Sequence, residues 1–366
     1  MTAPKPRDAV MQIHAYVAGE SKLAHVNRII KLSSNEGAFG PPLSATAAAI
    51  KVAGELHRYP DGASVGLREA LAAHHGLPAA QIVCGTGSDE LIQILCHVYG
   101  GPGTDILMSM HGFTMYQIAG TYAGSRVLRA PEQNLTTDVD ALLAAVTPET
   151  KMVFVANPNN PTGSLLPESE MTRLRAGLPS DVLLVIDAAY AEYVEDPGYD
   201  PGVALVDAGE NTVMLRTFSK VYGLGGLRVG WMYAPPAVID AVNRVRGVFN
   251  VNLVAQAAAL AALSEPGWVE KSRAHNTKYR AVMAQGLARI GLKTWPTEGN
   301  FMLVDFDSAT RAKAADAALK SHGIIVRAVA GYDIPTCLRV TVGTAEEVGL
   351  VIDALTSFMA SPQAHG

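Results

Sequence analysis

Five short apolar runs, each leading into a turn rich in glycine, asparagine, aspartate or hydroxyl residues, constrain this chain more than any other feature of it. They cover 82–84, 105–109, 151–156, 181–186 and 212–215, and such short runs of β-branched and apolar residues are strands rather than helices. Val182-Leu183-Leu184-Val185-Ile186 has no polar face, which places it at the centre of a parallel sheet. Open α/β sheets bind ligands outside the carboxyl ends of their strands. The turns after these runs are therefore where function is expected.

With 366 residues the chain has room for two domains at ~150 residues each, and 49% hydrophobic against 17% charged residues describes a globular protein rather than a disordered one. A net charge of −5 and a pI near 6.1 offer no basic stripe to nucleic acid. Cys84, Cys96 and Cys337 are widely spaced without a CxxC pair, which argues against a disulfide framework or a zinc site and for core thiols in a reducing cytoplasm. No metal is expected. The N-terminal stretch lacks the apolar centre of a secretion signal, and no uncharged apolar run reaches the ~18 residues of a membrane span. A cytoplasmic protein with neither membrane nor nucleic-acid partners is the expectation.

Residues 1–34 read as an arm, with an amphipathic piece at 8–16 and a β-like stretch at 28–32. Ser44 is placed to cap a helix over 45–56, which Arg58-Tyr59-Pro60-Asp61-Gly62 ends. A helix at 65–75 and the strand at 82–84 lead into Gly85-Thr86-Gly87-Ser88-Asp89-Glu90. Two glycines there let backbone approach an anion, and Ser88 with the first helical N–H groups can donate to phosphate. A plain helix start capped by Ser88 suits the same residues. The third glycine of a dinucleotide fingerprint and the lysine of a Walker loop are both missing.

Phe113 follows the strand at 105–109, where an aromatic can lie flat on a planar ligand or fill the core. Asn157-Pro158-Asn159-Asn160-Pro161-Thr162-Gly163 is a rigid turn that can aim an amide at a ligand. Asp187 ends the most apolar run, and a carboxylate buried there needs a cation unless it caps a helix. Thr217-Phe218-Ser219-Lys220, with glycines and Arg228 after it, sets an amine among hydroxyls beside an arginine, which suits condensation with a carbonyl next to a phosphate. Beyond it the patterning gives a strand at 229–233, helices at 236–246, 254–263 and 268–290, strands at 301–306, 324–327 and 338–342, a helix at 309–322 and a last helix from 345. This last third reads as a smaller α+β domain. A ligand touching Gly87, Ser88, Asp89, Phe113, Asn160, Asp187, Tyr190, Ser219, Lys220 and Arg228 needs a phosphate, a flat ring, a basic ring nitrogen, a hydroxyl and an aldehyde. Pyridoxal 5′-phosphate carries each of these.

Ser34-Asn35-Glu36, Tyr59-Pro60-Asp61, Asn160-Pro161-Thr162-Gly163, Thr217-Phe218-Ser219-Lys220 and Leu338-Arg339-Val340-Thr341-Val342-Gly343 occur in that order across the chain. In order and spacing the chain resembles, over nearly its whole length, the fold-type I, class I/II pyridoxal-phosphate aminotransferases, and most closely the histidinol-phosphate aminotransferase family. The resemblance implies a large three-layer α/β/α domain with a mostly parallel central sheet over 42–255, a small α+β domain over 256–366, and an arm at 1–41 that forms part of the small domain. It implies that Lys220 carries the cofactor as an aldimine and then acts as the base, that Asp187 pairs with the ring N–H, and that Asn160 and Tyr190 bond the ring oxygen. Phe113 would stack on the ring. Ser88, Asp89, Thr217, Ser219 and Arg228 would surround the phosphate, joined by Tyr59 from the other subunit of an obligatory homodimer. Arg339 would bind a substrate carboxylate, and Arg327 and Tyr16 a substrate phosphate. The implied reaction is a ping-pong exchange in which L-histidinol phosphate and 2-oxoglutarate interconvert with imidazole-acetol phosphate and L-glutamate, in histidine biosynthesis.

Some positions depart from that pattern. Gly37-Ala38 stand where relatives often carry Asn-Pro, Val248 where close relatives often have proline, and Ala328-Val329 lie in a pocket-side stretch that varies. They keep open an aromatic aminotransferase acting on phenylalanine or tyrosine. A phospho-amino-acid decarboxylase and a non-catalytic cofactor-binding regulator are further alternatives on this scaffold. The presence of Lys220 and the lack of a helix-turn-helix before residue 40 speak against the regulator.

Overall fold

The five apolar runs become five strands of one seven-stranded sheet in a computed structural model that describes residues 4–13, 20, 22, 23, 26 and 28–364. Its strands are β1 (Ile82–Gly85), β2 (Asp105–Ser109), β3 (Arg126–Ala130), β4 (Thr150–Ala156), β5 (Leu183–Asp187), β6 (Thr212–Thr217) and β7 (Gly230–Tyr233), in the spatial order β1-β7-β6-β5-β4-β2-β3. Strands β6, β5, β4, β2 and β3 pair in parallel. β7 runs antiparallel to both of its neighbours. All five residues of β5 are buried, as its unbroken apolar run requires of a central strand.

Alternation along β5 builds the layers. Leu183 and Val185 join a core with Leu91, Ile92 and Leu95 of α3 (Ser88–Tyr99) and Tyr116 of α4 (Thr114–Ala123). Leu184 and Ile186 point the other way, to Met171 and Leu174 of α5 (Glu168–Gly177). The edge β1 is covered by α1 (Leu43–Val52), α2 (Val65–His75) and α6 (Leu253–Leu263). There Ala45 of α1 meets Ala255, Ala258, Ala259 and Ala262 of α6, small residues that let the two helices approach closely. α6 runs unbroken through residue 255.

Register fixes where the loops emerge. Ala156 lies opposite Asp187, and Asp187 opposite Leu215, so the turns after β4, β5 and β6 leave the sheet on one edge. Gly230 lies opposite both Thr217 and Gly85, so β7 enters the sheet where β1 and β6 leave it. An antiparallel strand thereby delivers Arg228 to the carboxyl edge of its parallel neighbours.

A second sheet holds β8 (Lys293–Thr294), β9 (Phe301–Asp305), β10 (Arg327–Ala328) and β11 (Cys337–Thr341) in the order β8-β9-β11-β10, all antiparallel. It packs through Met302, Val304 and Val340 on α7 (Trp268–Arg289), α8 (Ala309–Ser321) and α9 (Ala345–Met359). α9 starts with a reciprocal capping box between Thr344 and Glu347.

Local expectations are corrected in two places. α1 starts at Leu43 behind an extended Pro42, so Ser44 lies inside the helix and does not cap it, and the helix tightens into a 3₁₀ turn at Ala53–Glu55. The strand expected at 324–327 is two strands. Ile324–Ile325 pairs in parallel with Ile30–Lys31, whereas β10 pairs with β11. Of the amphipathic piece at 8–16, Asp8–Met11 is helical, and residues 14–16 lie outside the described residues. Cys84, Cys96 and Cys337 are buried free thiols, and burial pushes the first two up to about 12. Among the described residues no helix is long and apolar enough to cross a membrane.

Candidate active site

The turns after β1, β4, β5 and β6, the segment before β7 and the second sheet enclose a cavity of about 210 Å³. Ser88, Asp89, Phe113, Asn160, Asp187, Tyr190, Thr217, Ser219, Lys220, Arg228, Arg327 and Arg339 all line it. Gly87 lies just behind that wall, at the start of α3. Tyr59 lies elsewhere, 82% exposed and stacked on Phe249 with ring centres 4.6 Å apart. Tyr16 is outside the described residues.

One end of the cavity is built for an anion. α3 opens at Ser88 with Gly87 as its N-cap, so the expected Ser88 cap is replaced by a residue with φ +78°, and the Thr86 N–H is taken instead by the Glu90 carboxylate at 2.6 Å. The first N–H groups and the positive end of the helix dipole therefore face the cavity beside the Ser88 side chain. Arg228, itself left-handed at φ +55°, donates to Asp89 Oδ2 at 3.0 Å and to Ser219 Oγ at 3.4 Å, while Thr217 Oγ1 donates to Ser219 Oγ at 2.9 Å. Glycine is required at the back of this cup. A Cβ on Gly87 would stand 2.5 Å from Arg228 Nη2, and one on Gly230 2.5 Å from the Ser88 nitrogen. The backbone of Gly87 also occupies a region that side chains avoid, so Gly87→Ala is expected to cost ~1–3 kcal/mol of stability. Urea unfolding checks this; an unchanged midpoint would show that the loop relaxes freely.

Asp187 closes β5 and lines the same cavity. It is not a helix cap. Its Oδ2 accepts from the Tyr116 hydroxyl at 2.7 Å and its Oδ1 from the Ala189 N–H at 3.2 Å. Burial pushes its pKa up to about 6 even though both bonds favour the carboxylate. Tyr116 in turn stacks on Phe154 at 4.6 Å and meets Phe113 edge-on at 5.7 Å, so one aromatic column supports both Asp187 and the cavity wall.

Lys220 lines the cavity as well. Its Nζ donates to the Ser34 carbonyl at 3.2 Å and lies 5.5 Å from the centre of the Tyr190 ring. Burial, then the nearby Arg339 charge, push its pKa down to about 8. Tyr190 accepts from Asn35 Nδ2 at 2.9 Å, which leaves its own O–H to donate, and burial pushes that phenol up to about 12. Asn160 Oδ1 accepts from Arg339 Nη1, which turns the Asn160 NH₂ to other partners. Arg339 is buried, donates to the Ser33 carbonyl at 2.8 Å and lies over the Phe301 ring.

Sequence reasoning missed Asn35 and Tyr116 as supports, and Ser33 and Tyr332 as lining residues. Tyr116 stands three residues after Phe113, the spacing that puts two side chains on one helix face. Ser33 and Asn35 sit in the turn before α1, far from the other loops in sequence; Asn35 belongs to the Ser34-Asn35-Glu36 motif, but nothing local marks its contact with Tyr190.

Residues 27–355 match the family of class I and II aminotransferases. The chain is similar to the histidinol-phosphate aminotransferase of Granulibacter bethesdensis, 60% identical over 364 residues that cover 100% of this chain and 98% of the relative. It is also similar to that of Rhodospirillum rubrum, at 55% identity over 98% and 97% of the two chains. Among solved structures it is similar to the histidinol-phosphate aminotransferase from Sinorhizobium meliloti in complex with pyridoxal-5′-phosphate, with a TM-score of 0.90, 29% identity and 98% of each chain covered.

Proposed function

This chain belongs to the class I and II aminotransferases and, within them, to the histidinol-phosphate aminotransferases, and on that premise we propose that it transfers the amino group between L-histidinol phosphate and 2-oxoglutarate in histidine biosynthesis. Two arginines carry the choice of substrate. Arg327 and Arg339 are direct register partners on β10 and β11, and both line the cavity. Such a pair serves ligands that bring negative charge of their own, as a phosphorylated amine and a dicarboxylic 2-oxo acid both do. The hydrocarbon side chain of phenylalanine brings none, which disfavours the aromatic alternative.

The residues present fit pyridoxal 5′-phosphate. The cup that a Cβ on Gly87 would fill takes a phosphate, held by Ser88, Asp89, Thr217, Ser219 and Arg228; Asp187 takes the ring nitrogen, and Lys220 the aldehyde. When bound, this cofactor supplies an electron-withdrawing ring conjugated to the substrate Cα. The chain supplies the rest. With a pKa pushed down to about 8, Lys220 Nζ reaches its neutral form close to physiological pH and can move a proton at the substrate Cα. Tyr190 and Asn160 keep donors directed at the ring oxygen because Asn35 and Arg339 occupy their acceptor atoms. Phe113 covers the ring face. Arg339 binds a carboxylate, while Arg327 and Tyr16 bind the substrate phosphate.

The assembly we propose is a homodimer. Leu43, Ile50, Leu56, Tyr59 and Val248 are 87%, 70%, 67%, 82% and 71% exposed, an apolar surface that a second copy would cover. Tyr59 would then reach the neighbouring phosphate cup. A cytoplasmic location fits the biosynthetic reaction. A division into a cofactor-binding unit over 42–255 and a smaller unit over 256–366 completed by 1–41 is likewise proposed, with α6 packing on the larger one.

A half-reaction titration tests the substrate. Cofactor-loaded protein is mixed separately with L-histidinol phosphate, L-phenylalanine and L-glutamate while the visible absorbance of the cofactor is followed. Histidinol phosphate and glutamate are expected to bleach it at least ~10-fold more efficiently than phenylalanine, the worth of one charge-assisted contact. A preference for phenylalanine would overturn the assignment.

A further inference from the structure

We infer that Tyr332 is a specificity-determining contact for the phosphate end of the substrate, held in place by an ion pair between Arg129 and Asp333. The inference rests on the substrate reading above. Tyr332 lines the cavity with Arg327 and Arg339 and closes the 3₁₀ turn Ala330–Tyr332 that follows β10. It is half-buried, and its hydroxyl has no hydrogen-bond partner among the described residues. Behind it, Leu303, Val329, Ile334 and Cys337 form a small buried cluster with Leu135 and Trp295, so the ring is packed on one side and faces the cavity on the other.

The next residue anchors the turn. Asp333 is left-handed at φ +60°, and its Oδ2 accepts from Arg129 Nη2 at 2.5 Å. The same guanidinium donates to the Met110 carbonyl from Nε at 3.1 Å and from Nη2 at 2.6 Å. Met110 stands three residues before Phe113. One arginine on edge strand β3 thus ties together the segments that carry Phe113 and Tyr332, from the first sheet to the second. Arg327 gives a substrate phosphate its countercharge, and a phosphate has acceptor oxygens to spare for the Tyr332 O–H. Asp333 and Arg129 are positioning residues; Tyr332 is the contact.

The test compares kcat/KM for L-histidinol phosphate and for unphosphorylated L-histidinol across wild type, Tyr332→Phe, Asp333→Asn and the double variant. Phenylalanine preserves the ring and its packing, and asparagine tolerates the left-handed backbone, so both folds survive. Tyr332→Phe is expected to lose ~10-fold with the phosphorylated substrate, as for one hydrogen bond to a charged group, with no loss on histidinol. Asp333→Asn is expected to lose roughly 3-fold, in the range of a partly exposed ion pair. The double variant should be no worse than Tyr332→Phe, because residues acting through one contact are not additive. Equal losses on both substrates, no loss in Tyr332→Phe, or additive losses in the double variant would overturn the inference. A wild type that ignores histidinol phosphate overturns the substrate reading and this inference together, and is recognised before any variant is made.

Discussion

Lys220→Ala is expected to lower transamination by ~10⁴-fold or more, because one substitution would remove both the amine we propose as the cofactor's anchor and the base we propose for the proton transfer. Lys220 makes no hydrogen bond to the phosphate cup or to Asp187, its one donation going to the Ser34 carbonyl, so the variant should still bind pyridoxal phosphate and stay folded. Burial and the Arg339 charge already disfavour the ammonium form of Lys220, so its removal relieves a cost in the cofactor-free protein at neutral pH. Lys220→Arg separates charge from chemistry. It keeps a cation at the site but one that does not lose its proton near neutrality, and it should be as inactive as alanine. The measurements are single-turnover rates with histidinol phosphate and a cofactor-binding titration. Near-normal turnover in either variant would remove Lys220 from the mechanism.

The parts of this site that were legible in the sequence are those where one local signal has one structural meaning. Val182-Leu183-Leu184-Val185-Ile186 admits only a buried central strand, and the polar residue that ends it, Asp187, must then lie at a ligand-binding edge. Lys220 and Arg228 were placed by the same logic of strand followed by glycine-rich turn. What the sequence hides is decided by register and by distant packing. Arg327 and Arg339 each look like an isolated arginine, and only the pairing of β10 with β11 sets them opposite one another. The stretch 324–327 looks like one strand because nothing in its composition reveals that Ile324–Ile325 has a partner in Ile30–Lys31. Ser44 looks like a cap because hydroxyls favour that position, yet Pro42 sets the helix start earlier. Tyr116 and Asn35 escape notice for a related reason: each acts through another residue, Asp187 or Tyr190, and supporting contacts leave no mark on local sequence.

Asp187→Asn should separate stability from function in opposite directions. In the cofactor-free protein the carboxyl is buried with a hydroxyl and an N–H as donors, and its pKa rises from 3.8 to about 6. A carboxyl whose folded pKa exceeds its unfolded one contributes stability that is fully present below the unfolded value and is lost as pH rises through the folded value. From pH 4 to above pH 6 the wild type therefore loses on the order of 3 kcal/mol from this group, at ~1.4 kcal/mol for each of about two units. Asparagine has nothing to ionise, and its amide oxygen can still accept from Tyr116. Without cofactor, Asp187→Asn is thus expected to be the more stable protein at pH 7 to 8 and to lack the wild-type loss across pH 4 to 6. With cofactor the order reverses. In the proposed role Asp187 would be the counterion for the protonated ring nitrogen, and its replacement should cost on the order of 10²-fold in turnover, together with weaker cofactor binding. Urea unfolding of both cofactor-free proteins at several pH values, set beside their loaded turnover, reads both effects. Parallel stability curves for the two proteins would mean that Asp187 is not held against its ionisation, and unchanged turnover would mean that it does not face the ring.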